Sequence, residues 1–546
     1  GSDAQAGVIY VTTKKGSGQE GFSGSAGALY KNNFYFDEDN TLVQPYVNLN
    51  YGWDGGYAWL GSSFEYGYGW LSPYTLTPMV LPEGTVDYKV KNEREDYINF
   101  DIYGGVNIDI SDNHNFEVTT KYQQETTPIK DMDTTVEESL FRKVMGNIDY
   151  TWYALDNLDV NLSTGISYDE ENRTSHNQRL SDYYIFNDNE AFAAYYLNDI
   201  FTLKGGYTLD VQYFQESADK AYAQQNHAVF FGGDADIDTV IDINVTAGLR
   251  YQLNLREASG YTDTDPIHSL SPEFGIVVKP IDMIAVKANV GHSFKVPELV
   301  TAFRDYFDHS WFYVGPNPDL QPESSWGYSG AIEVYPLDNM SFSAGIFRND
   351  LENLIDYDYN TGIYYNSLPV YTPVNIGQAY TWGVNASANA AFQIPVFGEL
   401  RYAFNFEYLI DARQVLDESE QYVDSETGEL FNPRLENRPE YSVSGSLAWN
   451  KQEWGTSLKV SGYYFAPAYI YEEQSDGSYT ELKTPAMTSL DLRIGQEIPP
   501  VSIFEKLKTI VYFEVKNILN SVYDSDGDGD TDRPERQFVI GFTVDF

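Results

Sequence analysis

The chain has 546 residues, with 34 Lys and Arg against 81 Asp and Glu, so its formal net charge is −47. Such an acidic chain is a poor partner for nucleic acid, and the absence of Cys excludes disulfides and thiol chemistry. No apolar run reaches the roughly 18 residues that a membrane helix needs, so a helical membrane protein is excluded. Aromatic residues make up 16% of the chain, and this composition favours strands.

Segments with one apolar and one polar face recur along the chain after Gly16. Apolar and polar residues alternate at 241–251 and again at 400–408. The last ten residues, 537–546, carry four large apolar side chains and a terminal Phe on one face. Strands of about ten residues with one apolar face are long enough to cross a bilayer at a tilt. Taken alone, these segments also fit a soluble sheet.

The lengths of the connections decide between the two. Short turns at 111–115, 155–157, 279–282, 336–339, 394–398 and 450–454 alternate with long polar segments at 297–323, 410–440 and 520–536. This alternation is typical of outer-membrane barrels. About 24 residues per strand and connection then give about 22 strands. The sequence predicts an all-β fold, a transmembrane antiparallel up-and-down β-barrel with short periplasmic turns and long extracellular loops, although the strands within 172–225 stay ambiguous.

Several short segments resemble the TonB-dependent outer-membrane receptors. GVIYVTTKKG at 7–16 resembles the last strand of that family's plug domain. FKVP at 294–297 and NPDLQPE at 317–323 are similar to its FRAP and NPNLKPE boxes, and NILNSVY at 517–523 is similar to its NLFDKKY box. The resemblance implies that residues 1–16 end a plug domain and that residues 17–546 form the barrel.

The resemblance also implies a function. A family member lies in bacterial outer-membrane lipid and imports a scarce, bulky nutrient of the iron-siderophore, haem or cobalamin class. The TonB complex would act through a plug that is not in this sequence. The plug is then part of a longer precursor or a separate chain, or the barrel works open without one. No phosphate loop, nucleophile elbow or zinc-spaced His pair occurs, so we expect no enzyme. A passive channel and a surface docking barrel remain alternatives.

An aromatic segment between the two middle boxes is the candidate ligand-binding site. It contains Tyr306, Phe307, His309, Trp311, Phe312 and Tyr313. Family members that import haem resemble this in placing a His between these boxes, where a neutral imidazole can ligate iron. An aromatic loop with an incidental His is the alternative. The remaining aromatic residues, including Trp53, Trp59 and Trp70, are predicted to form membrane girdles.

The segment DSDGDGDTDRPE at 524–535 predicts a calcium loop, because it fits the EF-hand pattern with Glu at the twelfth position. Its expected ligands are Asp524, Asp526, Asp528, the Asp530 carbonyl, Asp532 and Glu535. Carboxylates this close repel one another unless a cation is bound. Because strands are predicted on both sides, Ca²⁺ here would order the last outward loop. A solvated acidic tip is the alternative.

Overall fold

The computed structural model describes most of the chain, and the structural statements below refer to its described residues. These are residues 20–35, 38–71, 80–81, 84–85, 94–130, 136–175, 178–216, 220–261, 265–304, 306–308, 312–358, 361–365, 368–416, 421–474, 476–499, 507–521 and 536–546. Residues 1–16, which the sequence assigns to a plug, lie outside these ranges, so that domain boundary stays a prediction.

Twenty-two long strands form the wall of the molecule. In chain order they are β1 Gly21–Tyr35, β2 Glu38–Trp53, β3 Gly56–Leu71, β4 Arg94–Ser111, β5 His114–Lys130, β6 Val136–Leu155, β7 Leu158–Ser175, β8 Gln178–Tyr196, β9 Phe201–Glu216, β10 Lys220–Ile237, β11 Asp242–Ala258, β12 Ile267–Ile281, β13 Ile284–Lys295, β14 Glu323–Leu337, β15 Met340–Asp358, β16 Leu368–Ile394, β17 Gly398–Val415, β18 Tyr441–Lys451, β19 Thr456–Phe465, β20 Met487–Ile498, β21 Lys508–Lys516 and β22 Gln537–Asp545. The ambiguous region 172–225 contains parts of β7 to β10.

These strands close into a barrel. Each strand pairs antiparallel with the next along the chain. The last strand, β22, returns to β1, with Ser25 opposite Asp545 and Asn33 opposite Gln537. A sheet closed in this way has no open edge. The predicted fold class and strand number are confirmed.

Successive side chains alternate between the two faces of the wall. On one face, large apolar side chains are exposed all around the barrel, as at Leu60 (49%), Ile166 (55%) and Ile540 (54%). On the other face, polar groups bond one another, as the Thr246 hydroxyl does with an Asp234 carboxylate oxygen at 3.0 Å. Hydrocarbon solvates such an outer face, and the polar face lines the lumen.

The two tryptophans whose side chains are described on β2 and β3 lie on opposite faces. Trp53 stacks on the exposed Tyr51 with ring centroids 6.1 Å apart, on the outer face. Trp59 points to the lumen, where its ring covers Gly105. The girdle prediction is therefore wrong for Trp59, because β3 carries aromatic side chains on both of its faces.

The connections differ between the two ends of the barrel. At the short-turn end, turns such as 54–55, 112–113 and 338–339 join the strands. At the other end, the long-loop end, the connections include 296–322, 416–440 and 466–486. Some strands extend further than others at this end, as do β6 and β8, which have 20 and 19 residues.

Several small elements lie between the barrel strands. They are the helix α1 Leu299–Phe303, a 3-10 turn at Gln452–Trp454, and short strands at Val80–Leu81, Gly84–Thr85, Tyr306–Asp308, Phe312–Val314, Tyr364–Tyr365, Tyr422–Val423, Leu430–Phe431, Tyr469–Glu473 and Tyr479–Lys483. Within the described part of the chain, no helix has the length and apolar character required to span a membrane.

Phe546 completes the seam between β22 and β1. The Gly24 N–H donates to the backbone oxygen of Phe546 at 2.9 Å, and the Phe546 N–H donates to the Gly24 oxygen at 3.0 Å. The Phe546 ring covers Gly24 and stacks on Phe22, with centroids 6.0 Å apart. A Cβ at position 24 would lie 2.7 Å from Cζ of Phe546, so this packing requires Gly.

Gly24→Ala is therefore expected to destabilise the barrel by about 1–3 kcal/mol, because the added methyl overpacks the seam. The measurement is the urea midpoint of unfolding in detergent or lipid. Gly146→Ala is the matched control, since the nearest atoms to a Cβ there lie 3.9 Å away. Equal midpoints for the two variants would contradict the seam packing.

Candidate ligand-binding site

The connection 296–322 folds back onto the lumen side of the wall at the long-loop end. There α1 packs against β9 and β10 in a buried cluster, which we call the mouth cluster. It consists of Phe214, Tyr222, Leu299, Ala302, Phe303 and Leu320. The rings of Phe214 and Tyr222 stack at 5.6 Å, and those of Tyr222 and Phe303 at 6.5 Å. Apolar burial thus holds a five-residue helix against the inner wall.

Arg304 follows α1 directly and pairs with two carboxylates of the wall. Its guanidinium lies 3.0 Å from Glu216 on β9 and 3.5 Å from Asp182 on β8, whose side chain is only 5% exposed. It also lies 5.5 Å from the centre of the Phe214 ring. Burial by itself lowers the pKa of Arg304, but Glu216 and Asp182 outweigh burial and raise that pKa. The cation therefore stays charged and holds the loop in place.

A second guanidinium, that of Arg256 on β11, lies 5.4 Å from the centre of the Phe303 ring. Beside it, a cavity of about 540 Å³ opens at the tips of β9, β10 and β11. Its lining consists of Tyr213, Ala221, Tyr222, Ala223, Arg256, Glu257, Ala258, Ser259 and Tyr261. Arg256 is buried, and Tyr213, Tyr222 and Tyr261 share the lining of this cavity with it.

The two middle boxes hold the ends of this connection. Phe294 and Pro297 of FKVP are buried. At the other end, the Asn375 side chain accepts from the Gln321 N–H at 2.8 Å, and its amide donates to the backbone oxygens of Gln321 and Asn353 at 2.9 and 2.8 Å. The boxes that resemble those of the family thus anchor the loop.

Asn375→Ala is expected to loosen residues 296–322 while the barrel stays closed, because the backbone groups of Gln321 lose their partners. A cost of about 1–3 kcal/mol should fall on this loop. Limited proteolysis of the folded protein in detergent should then cut faster between 296 and 322. Asn349→Ala, which loses a 3.3 Å bond to Thr381, is the control. Wild-type resistance of the Asn375 variant would rule out the anchoring role.

The aromatic segment 306–313 forms a hairpin that joins the longest strand. Tyr306–Asp308 pairs antiparallel with Phe312–Val314, and the latter pairs in parallel with β16 at Val370 and Tyr371. The segment predicted as the ligand site is therefore held by backbone hydrogen bonds at the rim of the wall.

Only part of the predicted site can be placed in atomic detail. Tyr313 stacks on Tyr365 with centroids 4.5 Å apart, next to Tyr364, which is 71% exposed. The structure describes the backbone but not the side chains of Tyr306, Phe307 and Phe312, and His309 and Trp311 lie outside the described residues. Haem ligation therefore stays a prediction.

The connections 416–440 and 466–486 interlock beside this rim. The ring of Tyr422 stacks on that of Tyr479 at 3.8 Å, and the rings of Phe431 and Tyr471 meet Tyr422 edge-on at 5.9 and 5.7 Å. Burial raises the pKa of Tyr422 and that of Tyr471 to about 12, so both phenols are neutral at physiological pH. The rim is ordered through its own aromatic packing.

The NILNSVY segment at 517–523 fixes the base of the last long connection. The Asn517 side chain exchanges hydrogen bonds with the backbone of Ser521, both at 3.0 Å. The Arg536 N–H donates to the Asn520 side chain at 2.9 Å, and the Arg536 guanidinium donates to the Ile518 oxygen at 2.6 Å. The candidate calcium ligands at 524–535 lie outside the described residues, so this site stays a prediction.

A closed barrel of 22 strands with an apolar outer face and a polar inner face defines a transmembrane β-barrel protein. Over residues 3–518 the chain matches the family model described as TonB dependent receptor-like, beta-barrel. The protein therefore belongs to the TonB-dependent receptors.

Solved structures share this fold. A mutant of the ferric enterobactin receptor PfeA from Pseudomonas aeruginosa is 13% identical, with a TM-score of 0.72, over 98% of this chain and 81% of that chain. The siderophore receptor PirA from Acinetobacter baumannii is 13% identical, with a TM-score of 0.71, over 98% and 81%. The FrpB iron transporter from Neisseria meningitidis is 11% identical, with a TM-score of 0.72, over 97% and 83%.

Family membership places the protein in the bacterial outer membrane. It also identifies a transport protein and not an enzyme, as the sequence predicts. The long-loop end is then extracellular and the short-turn end periplasmic.

Proposed function

We propose that the protein imports an iron–siderophore complex whose iron ligands include catecholates. The observation that supports this most directly is a pair of guanidinium groups beside the mouth cluster: Arg304 lies against Phe214 and Arg256 against Phe303, and Arg256 also lines the cavity of about 540 Å³. The residues that line this cavity would receive the ligand at the extracellular end before it enters the lumen.

The chemistry of such a ligand suits this surface. A ferric catecholate carries net negative charge and presents flat aromatic rings, and guanidinium groups bind anionic oxygens and also stack on rings. Since the chain as a whole carries a net charge of −47, local cations are needed to hold an anion. Support by analogy comes from a PfeA mutant with the same fold, which was solved in complex with enterobactin.

Import would depend on the TonB complex, with which receptors of this family interact. Energy coupling separates this proposal from a passive channel, which needs no energy, and from a docking barrel, which transports nothing. Haem and cobalamin remain the other ligand classes to test.

The test is a titration of the purified protein with ferric enterobactin, haemin and cyanocobalamin, followed by iron uptake in cells. We expect a Kd below about 1 μM for the ferric catecholate alone, and uptake that stops when an uncoupler collapses the proton gradient. Preference for haemin would reassign the ligand. Uptake that is indifferent to the uncoupler would indicate a channel, and absence of any uptake would indicate docking.

We also propose that residues 524–535 bind Ca²⁺. Support comes from the complete ligand pattern in the sequence and from the hydrogen bonds that bring Asn520 and Arg536, on either side of the segment, together. A base fixed in this way reduces the entropy that is lost when a cation orders the loop.

A further inference from the structure

Aromatic side chains cover the lumen side of the wall next to the seam. On β2, β3 and β4, the outer positions Tyr51, Leu60 and Ile98 are exposed at 54, 49 and 42%. The alternate residues of these strands therefore face the lumen. We call six of these inward residues on β2, β3, β4 and β21 the aromatic wall: Tyr46, Tyr57, Trp59, Tyr97, Tyr103 and Tyr512. All six are half-buried.

Most of these rings lie against inward glycines. The Tyr103 ring covers Gly61 and the Tyr97 ring covers Gly67. Tyr46 and Tyr512 likewise cover Gly27 and Gly541, and Trp59 covers Gly105, where a Cβ would lie 2.5 Å from Cζ2. Because no side chain stands beneath them, the rings lie along the wall and turn one face to the lumen.

Hydrogen bonds fix the tyrosine rings in place. The Tyr103 hydroxyl donates to Asn48 Oδ1 at 2.6 Å, and the Tyr97 hydroxyl donates to Glu65 Oε1 at 2.6 Å. The hydroxyls of Tyr46 and Thr543 lie 2.6 Å apart, across the seam. A ligand that stacks on such rings need not order them first, and this lowers the entropic cost of the contact.

The rings follow one strand along the length of the lumen. Five of the six rings can be placed relative to β3: Tyr57 and Trp59 belong to this strand, Tyr103 covers Gly61, Tyr46 lies opposite Ser63, and Tyr97 covers Gly67. Ten residues of strand extend about 33 Å, and a tilt of about 40° reduces this to about 25 Å along the membrane normal, which is most of the roughly 30 Å hydrocarbon core. Rings that only covered glycines would need no such alignment along a single strand.

Other parts of the lumen wall have a different character. Inward ion pairs join β6 to β7 through Lys143 and Asp169 at 3.0 Å, and β13 to β14 through Lys287 and Glu333 at 2.7 Å. A bulky ligand in the lumen therefore meets aromatic faces on one side and paired charges on the other.

We propose that the aromatic wall is the track along which the aromatic groups of the imported ligand pass, stacking on successive rings from the extracellular to the periplasmic end. This role rests on the proposed import function. It assigns to Trp59 and Tyr103, both far from the mouth cluster, a part in transit and not in initial binding.

The test separates binding from uptake in cells that make the complete receptor. Trp59→Leu with Tyr103→Leu should leave binding of ferric enterobactin to energy-depleted cells within about twofold, while the maximal uptake rate falls about tenfold through loss of two stacking contacts. Trp59→Phe with Tyr103→Phe keeps both rings and should recover most of the uptake. Migration of the folded barrel on unheated gels checks that each variant folds.

Tyr51→Leu with Phe64→Leu is the matched control, because it removes two aromatic rings from the outer face of β2 and β3. Wild-type uptake by the Trp59 and Tyr103 variant, or an equal loss in the control, would overturn the track alone. A wild type that takes up no ferric catecholate would overturn the import function and the track with it.

Discussion

Arg304→Ala is expected to weaken binding of a ferric catecholate at least about a hundredfold. The substitution leaves Glu216 and the buried Asp182 without their shared cation, and breaking such a pair costs about 3–5 kcal/mol. Apolar packing of the five-residue helix α1 in the mouth cluster offsets only part of this cost, so connection 296–322 should loosen on the inner wall. Titration of the purified barrel measures the loss of affinity.

Arg348→Ala is the control for this prediction. Arg348 also pairs with a carboxylate, that of Asp350 at 2.7 Å, and lies 5.4 Å from the centre of the Tyr380 ring. Its side chain is 54% exposed, so the pair is worth only about 0–1 kcal/mol. Similar affinities for the two variants would show that the mouth cluster does not hold the ligand site.

Glu535→Gln is expected to abolish Ca²⁺ binding by the last extracellular connection. The twelfth residue of an EF-hand loop supplies two oxygen ligands, and an amide cannot replace a bidentate carboxylate. In the wild type we expect a Kd of about 10⁻⁴ to 10⁻³ M, the range of extracellular calcium modules. Isothermal titration with Ca²⁺ in detergent measures both, and Ca²⁺ should also protect 522–535 from protease.

Glu472→Gln removes the same charge from an exposed position in another extracellular connection and should leave Ca²⁺ binding intact. Binding that is equally strong in both variants, or no binding in the wild type, would identify 524–535 as a solvated acidic tip.

The barrel could be predicted because lipid imposes a simple rule on the sequence. Every second residue of a strand must be apolar, and this period is visible at 537–546 without knowledge of any partner strand. The period does not show how far a strand continues beyond the membrane. For this reason β17 extends to Val415, although the sequence predicts a loop from 410 onwards.

The mouth cluster could not be predicted in the same way. Arg304 and Glu216 are 88 positions apart in the sequence, and no local pattern indicates that they form an ion pair. The FKVP and NPDLQPE boxes indicated where the loop begins and ends, but not that it folds inward. Trp59 was assigned to the wrong face because exposed Leu60 and Phe64 make β3 apolar on one face while the other face carries rings as well.

One measurement tests most directly whether the ligand binds at the mouth cluster. The chain has no Cys, so Ser259→Cys, in the lining of the cavity, can be labelled with a single fluorophore. Ferric enterobactin should quench the fluorescence of this label until the sites are saturated, and the ligand concentration at half-maximal quenching should equal the Kd from equilibrium binding. It should not quench a label at Asp156→Cys, in a periplasmic turn. Full-affinity binding that leaves the label at 259 unquenched would contradict the proposed site.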